Sequence, residues 1–213
     1  METLSNYIVE KLSFGSLFGN KNRPKNIKEL RKLIVEQLKE QGPDADLNFI
    51  DTSKITDMAW LFTDLKIRNI KIDKWDTSNV TSMLHMFEDC KDFNADLSSW
   101  DVSKVENMNN LFAHCQKFNS DLSKWDVSNV WNMAGMFYMC ENFNSDLSKW
   151  NVIRAIYMEY MFYGCEKLDT DLSKWDLMGV RSVDGMFDKC KSMKQKNMPD
   201  ISKITDDEED EDY

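Results

Sequence analysis

The sequence predicts an α/β solenoid of about six 25-residue coils, each a strand, a turn and a short helix, behind an N-terminal helical cap. Three observations carry this expectation. The octapeptide FNSDLSKW stands at 118–125 and again, unchanged, at 143–150. Tryptophan recurs every 25 residues, at Trp75, Trp100, Trp125, Trp150 and Trp175. The columns Phe87, Phe112, Phe137, Phe162, Phe187 and Cys90, Cys115, Cys140, Cys165, Cys190 keep the same step. A fixed period of this length is the mark of units that cannot hide their apolar face alone and must stack.

Four segments follow from the pattern: 1–22 as leader and linker, 23–49 as a helical cap, 50–205 as the repeats, and 206–213 as a disordered acidic tail. The cap rests on a helix from Asn26 to Gln41. Asn26 can cap it, Glu29 stands three residues on, and Ile27, Leu30, Ile34 and Leu38 form one face before Gly42 and Pro43 stop it. Five strong copies run from Trp75 to Pro199. A weaker one precedes them, where DTSKITDMAWLF at 51–62 matches DTSNVTSMLHMF at 76–87, and a truncated one, DISKITD, follows at 200–206.

Within a copy the apolar spacing changes. In 118–142, Phe118 and Leu122 suit a short strand, and WDVSNV offers Asp and Ser for a turn. Val130, Met133, Phe137 and Cys140 then fall at helical spacing, with Met136 widening the stripe.

The pattern F-N-x-D-L-S-x-W-D-V-S-N-V-x-x-M-x-x-M-F-x-x-C over about 50–205 resembles the BspA-like leucine-rich repeats. These are 25-residue repeats of bacterial surface proteins, first catalogued as a domain of unknown function in mycoplasma proteins. The resemblance implies a leucine-rich-repeat-like fold and a role in adhesion or protein binding, and it brings no catalytic residue.

Composition bounds the function. No run of 18 apolar residues is present, so no membrane span is expected, and the first residues do not read as a secretory signal. The expected location is therefore cytoplasmic by default; the resemblance points to a cell surface, and a virion is a third location. The net charge of −10 is concentrated in the tail, whose seven acids leave −3 for the rest. The cysteine column reads as buried reduced thiols, since stacked Cβ vectors run parallel and no CxxC occurs. The columns Asp96, Asp121, Asp146, Asp171 and Asp101, Asp126, Asp176 read as turn caps rather than a calcium site. Glycine-loop, zinc and nucleophile patterns are absent, so no enzyme, cofactor or metal is expected.

The informative residues break the repeat. Outward slots hold Glu88, Asp89, Glu106, Asn110 and Ala113 in the second and third copies, but Trp131, Tyr138, Met139, Tyr157, Tyr160 and Tyr163 in the fourth and fifth. Tyr138 and Tyr163 share one slot, and Trp131 lies seven residues before Tyr138 on the same helix face. Two readings stand: a binding face for another protein on a monomeric chain, or rings packed on one another. Two further functions are weighed. Ile8, Val9 and Glu10 resemble the cleavage signal of a phage head protein with a targeting leader. The basic 21–40 stretch or the acidic tail could serve nucleic acid or mimic its charge, but 21–40 lacks interleaved aromatics.

Overall fold

The structure, a computed structural model, describes residues 22–202 and 204. The leader signal at 8–10 and the acidic tail at 206–213 lie outside them. Helix α1, Ile27–Gln41, forms where its signals stand. Asn26 Oδ1 accepts from the Glu29 N–H at 3.0 Å. At the other end Gly42, at φ 82°, returns its N–H to Leu38 O. Leu30, Leu33 and Ile34 are buried.

The repeats correct the expected fold class. Among the described residues they contain no α-helix and no strand longer than a single bridge; a short 3-10 turn at Gln195–Asn197 is their one helical element. The expected strand-turn-helix coil is a train of tight turns. Within 133–143, Met136, Tyr138, Cys140 and Phe143 return their N–H groups three residues back, to Met133, Gly135, Phe137 and Cys140. The intervening donors leave the copy altogether: Met133, Gly135, Phe137 and Met139 donate to the carbonyls of Tyr157, Glu159, Met161 and Tyr163 at 2.7–2.9 Å. An α-helix would send every N–H four residues back along its own chain. Here half the donors are spent on the next copy.

Backbone handedness explains why the helical spacing failed to make helices. Each of the six copies has two residues at positive φ, Gly135 (60°) and Met139 (58°) in the fourth copy, each at the third position of a turn. That is the type II requirement, and no right-handed helix passes through it. The residues supplied are mostly tolerant ones: His85, Asp89, Asn110, His114, Gly164 and Gly185. The expected strand fails for another reason. Phe118, Ser120 and Leu122 are buried and alternate with exposed Asn119 and Asp121. Yet the N–H groups of Asn119 and Leu122 bond to side chains of neighbouring copies, Asn94 Oδ1 at 2.8 Å and Ser145 Oγ at 3.0 Å, so no backbone ladder forms there.

Successive copies lie parallel and in register through the bridges Asp57↔Ser82, Ser82↔Asn107, Asn107↔Asn132, Asn132↔Tyr157 and Tyr157↔Ser182. Between them runs an aromatic core. Phe137 stacks 5.6 Å from both Phe112 and Phe162, and 4.0 Å from Phe143. Tryptophan and cysteine tie each copy backwards: Trp125 Nε1 donates to Leu97 O at 3.0 Å, and Cys140 Sγ to Phe112 O at 2.9 Å. Phe137→Ala should cost about 3–5 kcal/mol through the cavity it leaves. Denaturant unfolding of the variant checks this; an unchanged midpoint would mean that the ring is not wedged between copies.

At Trp60–Thr63 the first copy has no repeat beneath it to supply donors, although Leu47 N–H reaches its Lys71 O. In later copies the carbonyls at its Leu61 and Thr63 slots, such as Met86 O and Ala113 O, accept N–H groups from the preceding copy. At the first copy α1 brings Arg31, whose guanidinium donates to Trp60 O, Leu61 O and Thr63 O at 2.6–2.8 Å. One side chain thus replaces a backbone edge, as the planar five-donor fork allows. Arg31→Ala should lower stability by about 2 kcal/mol. Arg31→Lys should recover less than half of that in the same denaturant titration, because an ammonium cannot span three carbonyls.

Candidate binding face

The turns carry two ordered columns of ionisable groups before the aromatic face is reached. Each aspartate that opens a turn accepts from a backbone N–H two residues on, as Ser98 donates to Asp96, Ser103 to Asp101, Ser123 to Asp121, Ser128 to Asp126, Ser148 to Asp146, Ser173 to Asp171 and Met178 to Asp176 at 2.9–3.0 Å. Hydrogen bonds to Ser103, Ser123, Ser148 and Ser173 hold the carboxyls of Asp101, Asp121, Asp146 and Asp171 below their ordinary value. Among the described residues, no three His, Cys, Asp or Glu side chains are grouped to hold a metal ion.

The five cysteines are free thiols; four are buried and Cys190 is half-buried. Burial pushes the Cys90 thiol from 9.0 to about 12, and lifts those of Cys115, Cys140 and Cys165 well above their ordinary value. The folded state therefore prefers the neutral thiol. This preference stabilises it fully below the unfolded value near 9 and is lost as pH rises towards the folded values. Unfolding free energy should fall above about pH 9, by up to about 1.4 kcal/mol per pH unit for each thiol. Cys140→Ala should make that alkaline slope shallower in denaturant titrations run from pH 8 to 10.

The aromatic residues of the fourth and fifth copies stand on turns, not on the helices from which their grouping was argued. The structure places them in two ring groups. Tyr138 and Tyr163 stack at 4.9 Å and 7°, Tyr160 meets Tyr163 edge-on at 6.0 Å, and His114 meets Tyr138 edge-on at 5.2 Å. Lys189 Nζ lies 4.8 Å from the centre of the Tyr163 ring. Trp131 pairs instead with Tyr157, edge-on at 6.1 Å, and no ring contact among the described residues joins it to Tyr138. Tyr160 is 47% exposed and Trp131 37%, while Tyr138, Met139, Tyr157 and Tyr163 are half-buried.

Tyr160 sits at φ 55°, in a slot that holds glycine one copy before and one copy after, at Gly135 and Gly185. A bulky residue there costs about 1–2 kcal/mol. Its ring lies over Gly185: a Cβ at that glycine would come within 2.5 Å of the ring edge. Met139, at φ 58°, covers Gly164 in the same way through its sulfur, 2.5 Å from where a Cβ would stand. Gly164 and Gly185 are thus needed for room as well as for handedness.

Several further residues depart from the repeat. Trp60 shares the Tyr160 slot, is 47% exposed at φ 62°, and stacks on His85 at 3.8 Å; the 25-residue register could have found it. Ile153 and the 88% exposed Met178 replace the turn serine of earlier copies and stand bare in adjacent copies. Glu159 was not singled out. It lines a shallow open cleft of about 340 Å³ with Glu88, Asn110, His114, Tyr138 and Tyr160. Its Oε2 is screened from solvent and has no hydrogen-bond partner.

No helix among the described residues is long and apolar enough to cross a membrane. The family model described as "Mycoplasma protein of unknown function, DUF285" matches the chain twice, over residues 32–133 and 99–202. No curated protein matches it.

Proposed function

The chain belongs to the DUF285 family of Mycoplasma proteins of unknown function, and from that premise we propose that it is a non-enzymatic protein-interaction or adhesion module of the BspA-like kind. One observation carries the reading. At the slot of Tyr138 and Tyr163 the second, third and sixth copies hold Glu88, Ala113 and Asp188, and the backbone turns identically there. The architecture does not call for an aromatic at that slot. The cost of holding Tyr160 at positive φ supports the same conclusion, because backbone strain of this kind gathers where a site needs a side chain. Exposed tyrosine and tryptophan are the residues that dominate protein interfaces, where they bury large rigid surfaces at small entropic cost.

The binding face consists of Tyr138, Tyr160 and Tyr163 with Met139 beside them, and Trp131 with Tyr157 as a second contact. Its partner is another protein. The double variant Tyr138→Glu, Tyr163→Glu tests this. It forfeits one stacked pair, about 1 kcal/mol of folding stability. Against a partner captured from the cells that make the protein, it should lose about 2 kcal/mol or more of binding. Titration calorimetry with that partner reads the loss, and Met178→Ser serves as the exposed control. Equal affinity of the double variant and the wild type would reject the face.

A further inference from the structure

The cleft beside the tyrosines has an unbalanced chemistry. Two carboxylates, Glu88 and Glu159, line it together with Tyr138, Tyr160, His114 and Asn110, and neither lysine nor arginine does. Glu88 is already engaged, its Oε2 lying 2.8 Å from His85 Nδ1. Glu159 is not. Two copies earlier the same slot holds Asn109, whose Nδ2 donates to Ala134 O at 2.9 Å. A carboxylate in that slot has no hydrogen to give, so Oε2 is left screened from water without a donor. An orphaned acceptor of this kind is costly unless something arrives to satisfy it.

The surroundings specify what would satisfy it. The neighbouring ring of Tyr163 already carries a cation on its face, Lys189 Nζ. Tyr138 and Tyr160 line the cleft together with Glu159, whose Oε2 has no partner. A planar cation that stacks on a ring while donating along its edge meets both demands, and among protein side chains that is the guanidinium. The geometry points to a receptor for an arginine side chain of the partner protein, with Glu159 as its counter-ion and Tyr138 and Tyr160 as its walls. The inference rests on the interaction-module reading and names the chemistry of what that module takes.

The test uses the full-length, ¹⁵N-labelled chain and three probes at physiological salt: N-acetyl-arginine amide, the lysine amide and the neutral citrulline amide. Amide shifts should concentrate on Asn110, His114, Tyr138, Glu159 and Tyr160 with the arginine probe, be weaker with lysine, and be absent with citrulline. Glu159→Gln should weaken the arginine response at least fivefold while leaving Tm unchanged or higher, since it removes a screened charge. Tyr160→Gly, which restores the residue of the flanking copies, should keep the fold and also weaken the response. Equal shifts with citrulline, shifts spread over the acidic surface, or an unchanged response in Glu159→Gln would each overturn the assignment. If the arginine probe leaves the cleft silent while the tyrosine double variant still loses its partner, the cleft falls and the face stands.

Discussion

Everything in the repeat depends on where alternate backbone N–H groups go. A chain that sent them all to itself would be a helix, and one that sent them all to a neighbour would be a strand. This one divides them. Over 133–140 and its equivalents every second donor closes a turn three residues back and the rest cross to the carbonyls of the next copy, while Thr81, Glu106, Trp131, Ile156 and Arg181 donate to the copy before. The division needs two left-handed residues per copy to keep the turns aimed, and all six copies supply them. Once it is in place, side chains can be stacked at a fixed offset. The phenylalanine and tryptophan ladders then bury the interior, and indole and thiol hydrogens pin each copy to the one before. Because the register is set by the backbone, single outward slots are free to vary.

That freedom is what makes the aromatic face informative. A column of equivalent positions is an internal control: the backbone is the same in each copy and only the side chain differs. Where Glu88, Ala113 and Asp188 serve, Tyr138 and Tyr163 are additions. Tyr160 and Trp60 go further, since each replaces a residue that the conformation would favour with one that it opposes. The same logic singles out Glu159, an acceptor in a slot where Asn109 uses a donor.

How much of this was legible in the sequence follows from the physics of each signal. The buried columns were legible because burial depends only on register, and Trp75 to Trp175 and Phe87 to Phe187 announce a register of 25. The helix α1 was legible because its caps are local. The repeat's secondary structure was not, because a run of four-residue turns places Val130, Met133, Phe137 and Cys140 inward as a helix would. One signal against helices was present: Gly135, Gly164 and Gly185 fall inside the supposed helices, in the same two slots as His85, Asp89, Asn110 and His114. Residues that tolerate left-handed backbone, gathered in columns, argue for turns. The neighbourhood of Tyr138 and Tyr163 was readable from their shared slot, whereas grouping Trp131 with them relied on a helix that does not exist. Glu159 could not be found from sequence, since an orphaned oxygen is a property of its three-dimensional surroundings.

The Arg31 contact shows that the stack has unlike ends. Its first face presents carbonyl oxygens, and α1 plugs them with a cation. At its far face the N–H groups of Val183, Gly185, Phe187 and Lys189 meet no acceptor among the described residues. In the vocabulary of filaments, this is a polar rod with a plus end and a minus end. Two such rods placed far end to far end would set these donors against donors. A duplicated 25-residue block, by contrast, can enter anywhere between the ends without reversing a single hydrogen bond, and the rod lengthens while its polarity and its plug stay as they were.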